Sequence, residues 1–310
     1  MSRHFNIENI SDGVYAAIAK EGTGSVSNAG IINVGEHSII FDTFNTQQAS
    51  EDLNQTAFEL TGHSRHHVIN SHWHGDHIRG NQAFKDSIIF STNTTLNYMK
   101  DIHPDRISYQ KSNLAQLEND IRSINNKLQE ASSEILISQL SMQISFLREI
   151  ALSLPTLELT LPTVTFESKL TFYGSKRSVE VIPVGAGHTQ CDTVLYLPDE
   201  KILFGADICT NANHPLLIDG DPDNWIIVLD KLLDSPIRTV IPGHGQIGSK
   251  EILALTRQYI CDMKELVELS LTQSNFDINE VRVPERYENW GASANLYNNL
   301  RFLMNVSNQI

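Results

Sequence analysis

Apolar residues occur along this chain in two rhythms. Short β-branched runs crowd the first fifty residues and the stretch from Val164 to Gly205, while three- and four-residue spacings dominate elsewhere. Val14-Tyr15-Ala16-Ala17-Ile18-Ala19, Ala29-Gly30-Ile31-Ile32-Asn33-Val34 and Ser38-Ile39-Ile40-Phe41-Asp42-Thr43 predict three strands. Gly35-Glu36-His37 predicts the hairpin turn between the last two. Gln47 to Leu60 reads as a helix, and His67-Val68-Ile69-Asn70 as a buried strand entering a loop. Further on, Val179-Glu180-Val181-Ile182-Pro183-Val184 and Thr193-Val194-Leu195-Tyr196-Leu197 predict strands, with Pro198-Asp199-Glu200-Lys201 as a polar turn. Helical spacing returns over residues 222–235 and 249–272. Pattern alone gives a mixed α/β protein.

The middle of the chain has a different character. Leu114, Leu117, Ile121, Ile124, Leu128, Ala131 and Ile135 recur at alternating three- and four-residue steps, and Leu140, Ile144, Leu147, Ala151 and Leu154 resume the stripe after a phase slip. The slip predicts a helical hairpin over 108–131 and 133–153, with Ser132-Ser133-Glu134 capping the second helix. At ~1.5 Å per residue each arm is on the order of 30 Å long. Met142, Ile137 and Phe146 lie outside the seam and are expected to stay partly exposed unless something covers them. At the far end, Tyr287-Glu288-Asn289-Trp290 through Phe302 reads as an amphipathic closing helix.

Composition narrows the partners. With 23 Lys and Arg against 37 Asp and Glu, the net charge is −14, which disfavours a nucleic-acid substrate because phosphate backbones need clustered cations. No stretch is read as approaching the ~20 apolar residues of a membrane span, and the first residues lack the regions of a secretion signal, so the expected location is cytoplasmic. Three cysteines, Cys191, Cys209 and Cys261, cannot all pair. Such sparse use fits a reducing compartment and small buried side chains.

Chemistry concentrates in one place. Six of the twelve histidines fall between His63 and His77, and the segment ends Ser71-His72-Trp73-His74-Gly75-Asp76-His77. In extended backbone His72 and His74 point to one side, and Gly75 lets the chain turn so that Asp76 and His77 join them. Three imidazoles and a carboxylate make a cup suited to zinc. His63, His66 and His67 lack that spacing and are read as loop and strand edge.

The His-X-His-X-Asp-His run resembles the signature of the metallo-β-lactamase superfamily. Three later segments look like its other ligand loops, in family order: Gly185-Ala186-Gly187-His188-Thr189, Lys201-Ile202-Leu203-Phe204-Gly205-Ala206-Asp207 and Thr239-Val240-Ile241-Pro242-Gly243-His244-Gly245. His188, Asp207 and His244 each lie just past a strand-like run, where a loop is expected to leave a sheet edge. The resemblance covers roughly residues 10–110 and 165–260. It implies a four-layer αββα sandwich forming a single domain over 1–310, with 105–158 a helical insertion and 275–310 a C-terminal closing segment.

The resemblance further implies two Zn2+ per chain, with Fe or Mn as alternatives. His72, His74 and His188 would hold the first ion, Asp76, His77 and His244 the second, and Asp207 would bridge them; Asp76 would also act as the catalytic residue that orients the nucleophile. The implied activity is a dinuclear zinc-dependent hydrolase attacking the carbonyl of an ester, thioester, lactone or β-lactam with a metal-bound hydroxide. The alternative is an iron-dependent persulfide dioxygenase, whose superfamily branch shares these ligands. The expected partner is a small-molecule substrate, with neither nucleic acid nor membrane. For the insertion two uses stand: covering the substrate, or joining a homodimer.

Overall fold

The structure is a computed structural model whose described residues are 2–271 and 281–307. Residues 275–280 and 308–310 of the expected closing segment lie outside them. The chain divides into two compact units, Met1–Glu167 with Tyr173–Arg177, and Ser168–Phe172 with Ser178–Ile310.

The first unit is built on a seven-stranded sheet in chain order: β1 (Phe5–Ser11), β2 (Val14–Ala19), β3 (Ala29–Asn33), β4 (Ser38–Phe41), β5 (His66–Ile69), β6 (Ile88–Thr92) and β7 (Val164–Phe166). β1 to β4 run as an antiparallel meander, and β4 to β7 pair in parallel. The predicted strands and hairpin are there. β1 was not predicted, because its run Phe5-Asn6-Ile7-Glu8-Asn9-Ile10 carries too many polar residues. Residues Ile39 to Phe41 and Val68 to Ile69 are fully buried, as central parallel strands must be. His66, read from sequence as edge or loop, is instead buried in β5. Its ring meets Ser38 Oγ at 2.6 Å and Asn54 Oδ1 at 3.1 Å. Helix α1 (Gln47–Thr61) starts where Thr46 Oγ1 accepts the Ala49 N–H and stops at left-handed Gly62. It buries Leu53 and Ala57 against Val68, Phe84 and Ile89.

After the short α2 (Gly75–Ile78), the helical region comprises α3 (Asn93–Ser112), α4 (Leu114–Glu130) and α5 (Glu134–Ser153). The predicted hairpin over 108–131 and 133–153 is α4 and α5, but residues 108–112 belong to α3. The apolar stripe begins at Leu114, the first residue of α4, so the predicted start at 108 ran six residues ahead of the pattern. Ser133 occupies the N-cap of α5, yet its side chain makes no capping hydrogen bond. The α4 stripe, Leu114, Leu117, Ile121, Ile124 and Leu128, is half-buried, whereas Ile135 is 72% exposed. Ile137 is also exposed, and Met142 and Phe146 are half-buried, in keeping with their place outside the seam. Contrary to the sequence reading, one segment, Glu134–Thr156, is long and apolar enough by length and composition to cross a membrane. Polar ties hold its C-terminal half to the unit. Buried Glu149 accepts from Arg3 at 2.9 Å, and Ser153 exchanges hydrogen bonds with Gln47.

The second unit carries a six-stranded sheet ordered β13-β12-β11-β10-β9-β8: β8 (Leu170–Tyr173), β9 (Ser178–Gly185), β10 (Asp192–Leu197), β11 (Ile202–Thr210), β12 (Thr239–His244) and β13 (Gly248–Ser249). The pairs β9–β10, β10–β11 and β12–β13 are antiparallel, and β11 pairs with β12 in parallel. Helix α6 (Pro222–Asp234) begins with Asp221 accepting two N–H groups and Pro222 in its first turn. With α7 (Glu251–Leu271) and α8 (Ala294–Ser307) it closes a core around Trp225, Tyr259, Met263 and Tyr287. Of the closing helix expected from Tyr287 through Phe302, only the second half is helical, as α8, which buries Leu296, Leu300 and Leu303; Tyr287 ends a separate short turn, Glu285–Tyr287.

Candidate metal centre

In the first unit the metal loop follows β5. Because β4 and β5 pair in parallel with Phe41 opposite Ile69, the residue after each strand end meets the other chain segment. Asp42 thereby reaches Ser71: its Oδ1 accepts the Ser71 N–H at 2.8 Å and its Oδ2 the Ser71 hydroxyl at 2.7 Å. Oδ2 also lies 2.7 Å from His77 Nδ1. Thr43 N–H and Oγ1–H both donate to the His77 carbonyl.

These bonds fix the imidazole tautomers. A serine has one hydroxyl proton, and Ser71 gives it to Asp42. Ser71 Oγ, 2.9 Å from His72 Nδ1, therefore accepts from that nitrogen. His77 Nδ1 likewise donates to Asp42. Both rings are left with the lone pair on Nε2, the form a metal needs. Asp42 is buried and held at φ 64°. Burial pushes its carboxyl upward, and the neighbouring His77 opposes that shift.

The four predicted residues of this loop come together. The His72 ring centroid lies 4.8 Å from that of His74 and 4.2 Å from that of His77, and Asp76 Oδ2 is 3.5 Å from His77 Nε2. His72 and His77 are buried; His74 and Asp76 are half-buried. Trp73, between the two leading ligands, points into the fold. It stacks on Tyr98 at 5.6 Å, carries the Arg106 guanidinium at 5.1 Å, and its carbonyl accepts from His103 Nε2 at 2.7 Å. Helix α3 thus clamps the loop.

In the second unit His188 follows β9. Its Nδ1–H donates to the Leu216 carbonyl at 2.9 Å, again leaving the lone pair on Nε2. Asp192 organises that loop by accepting the Thr189 N–H and hydroxyl; burial pushes its carboxyl up to about 7. Asp207 is not beyond its strand, as the sequence reading placed it, but inside β11. The strand continues through left-handed Ala206 before resuming its pairing at Thr210. His244 is the last residue of β12, paired in register with Thr210. Asp207 Oδ2 lies 3.4 Å from His188 Nε2 and 3.3 Å from His244 Nε2, so one carboxylate oxygen faces two imidazole nitrogens. Gly243 makes this approach possible, since a Cβ there would sit 1.9 Å from Asp207 Oδ1.

All seven predicted residues therefore occur in two compact donor groups, one per unit. The donors are imidazole nitrogens and carboxylate oxygens only, a set that suits divalent zinc and its neighbours. No cysteine joins either group among the described residues. Cys209 is buried with its thiol pushed upward by burial, which fits the expected core role. Asp42, Ser71, Asp192 and His103 were not singled out from sequence. Asp42 carried one signal, a carboxylate directly after the apolar run Ile39-Ile40-Phe41.

A sequence model of the metallo-β-lactamase superfamily matches residues 22–244. A metallo-β-lactamase type 2 of Bacteroides fragilis is 25% identical over 270 residues, covering 84% of this chain and 87% of that protein. One from Bacillus sp. (strain 170) is 32% identical over 83 residues, 25% of this chain and 32% of that protein. Among solved structures, a metallo-β-lactamase from Pontibacter korlensis matches 84% of this chain and 100% of its own, with a TM-score of 0.59 at 20% identity. The DIM-1 metallo-β-lactamase exposed to ceftazidime matches 84% and 97%, with a TM-score of 0.58 at 18% identity. Two sheets with their helices, the ordered ligand loops and a family match across most of the chain agree: this protein belongs to the metallo-β-lactamase superfamily.

Proposed function

We propose that this protein is a dinuclear zinc hydrolase that attacks the carbonyl of an ester, thioester, lactone or β-lactam. One observation carries the reading. Seven nitrogen and carboxylate donors are assembled, and the Nδ1 atoms of His72, His77 and His188 are committed to protein acceptors. In this reading His72, His74 and His188 serve the first ion, Asp76, His77 and His244 the second, and Asp207 is common to both. Bound there, the two ions supply a nucleophile from water at neutral pH and polarise the scissile carbonyl.

The chain's own residues then act around that chemistry. Asp76, half exposed at the start of α2, orients the attacking water by accepting its proton on a carboxylate oxygen. Asp42 holds His77 directly and His72 through Ser71, so neither ring can turn. The four carbonyl classes stand together because the donor set is common to them. The relatives named metallo-β-lactamase support hydrolysis as the reaction type. The same reading takes a small-molecule substrate in the cytoplasm, with the inserted helices available to a second copy and neither nucleic acid nor membrane as partner.

Metal analysis of protein purified without added metal tests it, together with a panel of the four carbonyl classes. About two zinc per chain with hydrolysis of at least one class is expected. One iron per chain with oxygen consumption on a persulfide would replace this reading by the dioxygenase.

A further inference from the structure

A cavity of about 530 Å³ lies in the first unit between the metal loop and the helical region. That is the size of an ordinary small-molecule site. Its floor includes Gly75, Asp76 and Arg79, and its apolar wall is Leu117 from α4, Phe146, Leu147 and Ile150 from α5, and Leu154. Those apolar residues include part of the heptad seam, which therefore does more than join the two helices.

Arg79 is placed for a ligand. Its side chain lies back across the metal loop, so that a Cβ on Gly75 would be 2.8 Å from its Nε. Nη2 donates to Gln110 Oε1 at 2.9 Å, and Nε is buried with no hydrogen-bond partner among the described residues. A guanidinium keeps its charge when buried, and a donor left without an acceptor is costly. In a chain of net charge −14 this cation stands at the floor of a half-apolar cavity, beside Asp76.

Resting on the hydrolase reading above, we propose that this cavity takes the acyl portion of the substrate, a straight or branched apolar chain of medium length, and that Arg79 receives the carboxylate formed from its carbonyl. In the reaction the water oxygen bonds to the acyl carbon and the bond from that carbon to the alcohol or thiol breaks. The leaving group departs with one proton, a second proton is released, and the acid remains as its anion. The chain lies against Leu117, Phe146, Leu147, Ile150 and Leu154, and the new carboxylate faces the Arg79 guanidinium at the cavity floor. The substrate class is thereby narrowed to medium-chain acyl esters, thioesters or lactones.

The test is binding of octanoate, acetate and octan-1-ol to the full-length protein as purified, by titration calorimetry. Octanoate is expected to bind saturably and at least about tenfold more tightly than acetate, because acetate offers nothing to the apolar wall. Arg79→Gln is expected to weaken octanoate about tenfold or more and leave octan-1-ol unchanged. Arg79→Lys should recover part of the loss, and Leu152→Ala, on the exposed face of α5, should change nothing. Octanoate that binds no better than acetate, or equally well to Arg79→Gln with its metal content intact, overturns the proposal even if the protein hydrolyses other carbonyl compounds. Arg79-dependent octanoate binding by a protein that hydrolyses no acyl ester, thioester or lactone would uphold the pocket and remove the hydrolase reading instead.

Discussion

Asp42 shows how much one side chain can organise. Three donors converge on its carboxylate, and two of them lead to candidate metal ligands. Asp42→Asn keeps the volume but turns one acceptor into a donor that faces the His77 Nδ1–H. Metal affinity is expected to fall about 10- to 100-fold with the fold retained, the usual effect of losing an outer partner of a ligand. Competition with a chromogenic chelator, alongside circular dichroism, measures it; affinity equal to wild type would mean the rings hold their tautomers without Asp42. Gly243→Ala tests the second unit. The added Cβ would meet Asp207 Oδ1 at 1.9 Å and the Ala206 carbonyl carbon at 2.7 Å, so the carboxylate must leave its place between His188 and His244. Metal content is expected to drop below one ion per two chains, about as far as Asp207→Ala lowers it. At this scale the candidate ligands were legible because type and spacing announce them. Asp42 was not legible as a partner, because its role depends on β4 pairing in parallel with β5, a contact between distant segments that no local pattern encodes.

Elements carry the next level of control. β5 delivers the metal loop, and His66 at its start ties the strand to β4 and α1 through Ser38 and Asn54. Burial, aided by His63 and His67, lowers the His66 pKa from 6.5 to about 4. Between those values the unfolded chain binds a proton that the folded chain refuses. Its contribution to stability is therefore fully present above about pH 6.5 and is lost as pH falls towards 4. At about 1.4 kcal/mol per pH unit, the loss reaches about 3 kcal/mol. His66→Gln is expected to be less stable at pH 7.5 yet to lose less stability than wild type on going to pH 4.5. Denaturant melts at the two pH values check it, and parallel losses in both proteins would mean the acid sensitivity lies elsewhere. Strand and helix positions were largely readable from periodicity. The α3–α4 boundary at Asn113 was placed too early, at 108, although the apolar stripe itself starts only at Leu114. The clamp of α3 on Trp73 was not readable, since it follows from where the helix docks rather than from its own pattern.

For the molecule as a whole, the question is which parts the candidate centre needs. Candidate donors in the proposed reading come from both units. The inserted helices divide more finely than the sequence suggests, which gives a single hairpin over 108–131 and 133–153. Residues near their base are tied in: Glu149 to Arg3, Ser153 to Gln47, Gln110 to Arg79, and Met142 packed close to Gly22. The tip is not tied in this way. No residue between 121 and 140 is buried, and Ile135, Leu136 and Ile137 are exposed at 72%, 43% and 39%. Replacing 121–140 with a short Gly/Ser linker removes surface-lying helix while leaving the cavity wall, which ends at Asp120 and resumes at Phe146. The variant is expected to hold as much metal as wild type and to melt within about 3 °C of it, because only exposed contacts are lost. Light scattering on the same sample asks what the exposed isoleucines do. A dimer that becomes monomeric assigns the tip to self-association, whereas an unchanged mass frees it of that role. Loss of metal from the linker variant would show that the tip belongs to the folded core after all, and would restore the larger arm as a single structural piece.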